Sequence, residues 1–171
     1  MKTPTISIIV AVDEKRGIGK NNKIPWHIKE DLIRLANMTR NHIVILGRYT
    51  YESMAGYYDR SGRSMPAKEY VVVTSKKDFK SVRNNTYAAQ SIEDALKRAK
   101  KSDEKEVFII GGSEIFNQTI SLADKIYLTL VRGDFNCDTF FPDYSDFKKV
   151  ISSKKSKSGE YDFEFRVLEM P

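Results

Sequence analysis

Five short apolar runs punctuate the chain, at residues 6–12, 43–46, 70–74, 107–110 and 126–131. Each is too short for a helix and is bounded by turn or polar residues, so each predicts a buried strand. Residues 86–89 form a weaker strand candidate. Between the runs, helical patterns cover residues 29–38, 50–54, 92–101 and 114–122. Ser91 and Asp94 supply a capping-box pattern ahead of the third. Residues 148–153 and 161–168 flank a Ser/Lys/Gly stretch and predict a long antiparallel hairpin. Strands interleaved with helices imply an α/β layer with a largely parallel sheet. The closing hairpin makes that sheet mixed. There is no internal repeat or linker, and 171 residues suit one domain.

The first helix carries a carboxylate on an unexpected face. On a helical wheel, Ile28, Leu32, Leu35, Ala36 and Met38 share an arc, with Ile33 outside it. Lys29, Glu30, Arg34 and Asn37 also lie outside it. Asp31 falls inside the apolar arc, between Leu35 and Met38. Two readings stay open. Asp31 caps the helix N-terminus, where free N–H groups favour it, or it faces a ligand with its pKa raised by desolvation. Trp26, the single tryptophan, follows Pro25 and leads into this helix. It is either a packing residue or the wall of a pocket anchored by Asp31. His27 reads as a solvent or cap residue.

Ligands of open α/β sheets sit beyond the carboxyl ends of the strands. Three such ends suit an anion. Gly47-Arg48-Tyr49-Thr50 and Gly111-Gly112-Ser113-Glu114 each open a helix, and Thr74-Ser75-Lys76-Lys77 follows a third strand. Free N–H groups at helix starts and close backbone approach at glycine suit phosphate. Together the three corners point to an extended polyphosphate ligand. Neither G-x-G-x-x-G nor a P-loop occurs, which disfavours a Rossmann dinucleotide site and a P-loop NTPase. Gly17-Ile18-Gly19 reads as a flexible loop over the site.

Charge narrows the picture less. Lys+Arg 29 against Asp+Glu 23 gives +6, which admits nucleic acid, membrane surfaces or small anions as partners. The basic clusters at 97–101 and 154–157 read as a solvated helix face and a hairpin tip. A nucleic-acid-binding domain needs a clustered basic face with stacking aromatics, and these clusters are short and distant from the phosphate corners. Cys137 is the only cysteine, so no intrachain disulfide or cysteine metal cluster can form. His27 and His42 are too few for a histidine metal site. A reduced, cytoplasmic protein is expected. No apolar run approaches the ~18 residues of a membrane helix, and the first residues lack a signal-peptide core.

These residues, taken in order, resemble the dihydrofolate reductase family over nearly the full chain. The matching pieces are Ile9-Val10-Ala11, Gly17-Ile18-Gly19, Ile24-Pro25-Trp26, Asp31-Leu32, Gly47-Arg48-Tyr49-Thr50-Tyr51-Glu52-Ser53, Thr74-Ser75, Ile110-Gly111-Gly112, Tyr127-Leu128-Thr129 and Asp138-Thr139-Phe140-Phe141-Pro142. The resemblance implies a single three-layer α/β domain over residues 1–171. Its centre would be a mixed, mostly parallel eight-stranded sheet with flanking helices and a C-terminal antiparallel hairpin. It implies NADPH-dependent reduction of 7,8-dihydrofolate, binding of antifolate inhibitors, no metal, and a monomer. A same-fold reductase of another pterin or of a riboflavin-pathway pyrimidine is the alternative.

The resemblance also implies residue roles. Asp31, Trp26 and Thr129 would carry the catalytic chemistry. Ile9, Val10, Ala11, Ile24, Leu32, Leu35, Ser53, Met54, Ile110 and Phe116 would line the substrate site with Asp31 and Thr129. Leu35 stands where many members carry Phe. Ala11, Ile18, Gly19, Gly47, Tyr49, Thr50, Val73, Thr74 and Ile110 to Phe116 (Gly111, Gly112, Ser113, Glu114 and Ile115 between) would hold the cofactor. Arg48, Ser75 and Lys76 would take its 2′-phosphate. The Gly111–Gly112 peptide matches a cis bond in the family. The stretch 13–23 would close over the site. Lys68 stands where the family clamps the substrate α-carboxylate with Arg, and Arg60 or Arg63 are alternative clamps. Lys lacks the bidentate fork of Arg. Cys137 replaces a frequent Gly and is expected to bring a local backbone change without thiol chemistry.

Overall fold

The middle strands of the sheet are mostly apolar, because helices cover much of both faces. Ile43–Gly47 (β3) shows this most clearly. Ile43 and Ile45 pack into one apolar cluster, while Val44 and Leu46 pack into another on the opposite face. That is the period-two alternation of a strand, with both phases buried. The computed structural model describes residues 3–81 and 83–171.

In chain order the remaining elements are Thr5–Val12 (β1), Gly17–Gly19 (β2), Lys29–Thr39 (α1), Arg48–Ser61 (α2), Glu69–Val73 (β4), Thr86–Ala89 (β5) and Ile92–Lys101 (α3). Then come Glu106–Ile109 (β6), Ser113–Thr119 (α4), Lys125–Val131 (β7), Thr139–Phe140 (β8), Lys149–Ser158 (β9) and Tyr161–Glu169 (β10). The eight-stranded sheet runs β5-β4-β3-β6-β1-β7-β10-β9. Pairings from β5 to β7 are parallel, and β10 is antiparallel to both neighbours. The expected mixed, mostly parallel eight-stranded sheet is therefore present.

One face of the sheet meets α3 and α4, through Ile92, Ala95, Ala99, Ile115 and Phe116. The other meets α1 and α2, through Met38, Tyr51, Met54 and Tyr58. The result is three layers. Ser91 caps α3 by accepting from the Asp94 N–H at 3.1 Å, as its sequence predicts. No helix among the described residues is long and apolar enough to cross a membrane.

Several expected boundaries differ. The helix expected at 50–54 runs to Ser61, where Gly62 at φ 73° ends it by donating to the Tyr58 carbonyl. Such a left-handed cap falls to glycine because it lacks a Cβ. The helix expected at 114–122 stops at Thr119. The 154–157 cluster is not a hairpin tip but part of β9, at the sheet edge. Lysines there discourage pairing with another chain. The tip is Gly159 and Glu160, between the paired Ser158 and Tyr161.

Gly17-Ile18-Gly19 is a strand paired with β8, not a free loop. Asp13, buried, holds its start: Oδ1 accepts from the Gly17 and Lys15 N–H groups at 2.7 and 2.9 Å. Oδ2 accepts from the Phe135 N–H at 3.1 Å. A Cβ on Gly17 would sit 2.5 Å from that of Cys137. Only glycine fits this close approach. Asn136, beside Cys137, takes φ 53°, so the local backbone is unusual there.

Candidate active site

The first turn of α1 lies over β1, β7 and β10, and Asp31 is the side chain it delivers. The cap reading does not hold: Ile28 is the N-cap residue, with no side-chain cap bond. Asp31 Oδ1 instead accepts a 2.6 Å hydrogen bond from the Thr129 hydroxyl of β7. Thr129 is itself buried. Burial pushes the Asp31 carboxyl above the usual carboxylate range, and the Thr129 hydroxyl and the Arg34 charge pull it back. Ile28 and Trp26 are buried in one cluster with Val131 and Phe163, against which Ala11 packs. The Trp26 ring meets Phe135 edge-on at 5.2 Å. Trp26 is thus a packing residue that also fixes the entry to α1.

Register decides which neighbours share this face. Ile9 lies opposite Tyr127 and Ala11 opposite Thr129, so both belong to the Asp31 side. Val10 lies opposite Leu128 and is buried in the cluster beneath α3 and α4. Its side chain cannot line the substrate site, because neighbours along a strand point to opposite faces. Phe116, on α4, is buried on that far side, its ring 5.0 Å from Phe141 and 3.1 Å from where a Cβ on Gly111 would be, so it packs beneath the glycine corner.

α1 leaves its apolar side chains largely uncovered. Of the α1 side chains only Thr39 is buried. Leu32 and Ile24 are exposed at 37% and 64%, Leu35 is half-buried, and on α2 Met54 is half-buried and Ser53 exposed. Apolar side chains left open on one helix suit a flat, largely apolar ligand. Ile110, at the end of β6, packs partly against the same layer.

The phosphate-friendly corners do meet. The Gly47 N–H donates to the Gly111 carbonyl at 2.8 Å, joining the ends of β3 and β6. The Gly111–Gly112 peptide is cis. Gly47 and Gly112 are the N-cap residues of α2 and α4, with no side chain capping either. A Cβ on Gly112 would lie 3.3 Å from Thr50 Oγ1, and one on Gly47 would lie 3.3 Å from Ile115 Cγ1. β4, which precedes Thr74-Ser75-Lys76, is the strand next to β3. Val73 and Ile18 pack partly against the far-side core, and Ile115 is buried in it. Ser113 and Gly19 are half-buried, while Glu114, Ser75 and Lys76 are exposed. Arg48 is less free than its sequence suggests. It pairs with Glu52 at 3.2 Å and stacks on the exposed Tyr49 ring at 4.4 Å.

Lys68 does not stand as an unengaged clamp. Its ammonium is 2.8 Å from Glu104 Oε1, and His42 Nδ1 approaches Oε2 of the same carboxylate at 3.7 Å. Arg63 Nη2 donates to the Tyr57 hydroxyl at 3.4 Å. Arg60 Nη1 lies 3.3 Å from where a Gly56 Cβ would be, along α2.

Comparison with known proteins settles the family. The profile described as Dihydrofolate reductase matches residues 5–170. The chain belongs to the dihydrofolate reductase family. It is 38% identical over 168 residues to the Dihydrofolate reductase of Staphylococcus haemolyticus, covering 96% of this chain and 95% of that protein. It is 34% identical to that of Bacillus subtilis (strain 168), covering 96% and 94%. A solved structure of Dihydrofolate reductase from Enterococcus faecalis, complexed with NADP(H) and RAB-propyl, superposes with a TM-score of 0.81 at 29% identity. That match covers 98% of this chain and 96% of the other.

One group beside the site lies where the helical wheel does not put it. The wheel leaves Arg34 outside the apolar arc. It is half-buried, its guanidinium carbon 4.4 Å above the Phe165 ring centroid and 5.9 Å from that of Tyr127. The i, i+3 spacing from Asp31 was the available signal, since such pairs are neighbours on a helix.

Proposed function

We propose that the open apolar side of α1 and the glycine corner form one active site that reduces 7,8-dihydrofolate to 5,6,7,8-tetrahydrofolate. The chain is an NADPH-dependent oxidoreductase of the dihydrofolate reductase family. The observation that carries the site assignment is the Asp31 carboxyl, held by Thr129 at 2.6 Å on the helix whose apolar side chains are open.

The glycine corner fits the cofactor. Two helix starts converge where added Cβ atoms would crowd Thr50 and Ile115, leaving backbone N–H groups accessible to a diphosphate. Gly47, Thr50, Gly112 and Ser113 would hold the diphosphate. Arg48, Ser75 and Lys76 would take the 2′-phosphate. When bound, NADPH supplies a hydride to pterin C6.

The chain's own residues do the rest. Asp31 accepts hydrogen bonds from the pterin amino group and ring nitrogen, and Thr129 fixes the direction of its carboxyl. Leu32, Leu35 and Met54 flank the pterin and benzoyl rings and hold them for transfer. Asp31 sits on the pterin edge remote from N5, so it polarises the ring and water delivers the N5 proton. The 13–23 stretch, tied down through Asp13, shields the site from bulk water. The same reading makes the protein a cytoplasmic monomer acting on small molecules rather than nucleic acid or membranes. Its single free thiol, Cys137, suits a reducing compartment.

The test is spectrophotometric oxidation of NADPH in the presence of dihydrofolate, with NADH assayed alongside. Rapid oxidation with NADPH and slow oxidation with NADH is the expected result. Absence of any dihydrofolate-dependent rate overturns the reading, and equal use of NADH overturns the roles of Arg48 and Ser75.

A further inference from the structure

Arg34 is a charged side chain in a place that charge does not favour. Its Nη1 is buried and has no hydrogen-bond partner among the described residues. Burial draws its pKa below the usual guanidinium value, and Asp31 and Tyr127 push it back up. A purely structural side chain here would be better apolar, since a buried cation without full hydrogen bonding is destabilising.

The surroundings hold the guanidinium in place. From β10, the Phe165 ring lies 4.4 Å beneath it, a cation–π distance. From β7, Tyr127 lies to one side at 5.9 Å. Thr129, on β7 opposite Phe165 in register, donates to Asp31. Glu106, which Tyr127 also reaches, is already engaged. Its Oε2 accepts from the Ser7 hydroxyl at 2.6 Å and from the Tyr127 hydroxyl at 3.1 Å. The anion left for Arg34 is Asp31, three residues back on α1 and bonded to Thr129, which lies beside Phe165 in register; no direct ion pair joins the two among the described residues.

We propose that Arg34 is a positioning residue: pinned on Phe165, its guanidinium keeps a positive charge behind Asp31 so that the carboxyl meets the pterin ionised. Burial alone drives Asp31 towards its neutral form, which cannot accept two hydrogen bonds from the pterin edge. Arg34 offsets that tendency from the protein side, without touching substrate. The inference rests on the Asp31 role given above.

The test follows the Asp31 side-chain carboxyl carbon by NMR in 13C-aspartate-labelled protein, assigned by its loss in Asp31→Asn. In Arg34→Met the titration midpoint is expected to rise by about one pH unit, the lower end of an adjacent opposite charge's effect. Arg34→Lys is expected to keep most of the wild-type midpoint, and Phe165→Leu, which removes the shelf, to raise it by a smaller amount. The acid limb of kcat/KM for dihydrofolate should move the same way in each variant, with NADPH binding unchanged. Thermal melting at low pH, where Asp31 is protonated in both proteins, separates a structural role, because Arg34→Met should there be at least as stable as the wild type. An unshifted midpoint in Arg34→Met, or an equal shift in Arg34→Lys, overturns the proposal. So does a lower melting temperature of Arg34→Met at low pH with no shift in Phe165→Leu. If midpoints shift as expected while no variant or wild type reduces dihydrofolate, it is the function that fails and not the Arg34–Asp31 coupling.

Discussion

The Thr129 hydroxyl donates to Asp31 Oδ1 at 2.6 Å, bridging the middle of β7 to the first turn of α1 across 98 residues of chain. This bond fixes one oxygen of the carboxyl. Replacing Thr129 by Val should lower kcat/KM for dihydrofolate about tenfold, the worth of a hydrogen bond to a charged group. It should also raise the pH of the acid limb, because the bond favours the ionised carboxyl. Asp31→Asn should cut turnover about 100-fold or more at neutral pH. The loss should be smaller at low pH, where substrate is already protonated. A pH series of initial rates measures all three effects, and near-normal turnover of Asp31→Asn at neutral pH removes Asp31 from the mechanism.

The same carboxylate should be a stability liability. Its native pKa is raised above the ordinary aspartate value of 3.8, chiefly by burial. The native state therefore holds this proton more tightly than the unfolded chain does. The associated stability is fully present below 3.8 and is lost as pH rises through the raised native value. Asp31→Asn, neutral at every pH, should then melt higher than wild type at pH 7, and the gap should shrink towards pH 4. Thermal melts at the two pH values check this, and a variant less stable than wild type at pH 7 contradicts it.

How far the sequence alone reaches depends on the range of the interaction. The buried strands are legible because β3, β4, β6 and β7 sit between helix layers and are mostly apolar on both faces. Asp31 is legible because helical periodicity exposes a carboxylate on an apolar arc. The length of α2 is not, since its second half, Ala55–Ser61, is polar and aromatic without a clear apolar stripe. Arg34 fails for a different reason. A wheel gives the direction of Cα–Cβ, whereas a long side chain can curl its head onto Phe165 from outside the arc. Val10 shows the converse, since a motif match assigns a position to a site while strand phase turns its side chain away.

Glu164 makes a further case that no local pattern signals. It is 4% exposed, on β10. Its Oε1 accepts from Ser153 and Arg166, and Oε2 accepts from Arg132 at 2.9 Å and Arg166 at 3.1 Å. The hydrogen bonds from Arg166 and then Ser153 draw its pKa down to about 2 from 4.5. Its native pKa is depressed, so its stabilisation is present above pH 4.5 and is lost as pH falls through about 2. Glu164→Gln should therefore lose about 1–3 kcal/mol at pH 7. Urea unfolding at pH 7 and pH 3 reads the difference, which should narrow at the lower pH. Equal midpoints at pH 7 would show the cluster to be energetically silent.

Cofactor choice should depend on a competition already visible at the start of α2. Arg48, proposed above to take the 2′-phosphate, is paired with Glu52 at 3.2 Å, one turn along the helix. Both side chains are partly open to solvent, so the pair is weak enough to yield to a phosphate. Arg48→Ala should raise KM for NADPH about tenfold, the worth of one charge-assisted contact. KM for NADH, which lacks the 2′-phosphate, should stay unchanged. Glu52→Gln releases Arg48 from its partner and removes a negative charge near the phosphate. It should lower KM for NADPH by a few-fold, again with no effect on NADH. Steady-state kinetics with both cofactors distinguish the cases. If Arg48→Ala alters both KM values equally, Arg48 acts on the fold of α2 and not on the 2′-phosphate. If Glu52→Gln leaves KM for NADPH unmoved, the ion pair imposes no cost on cofactor binding.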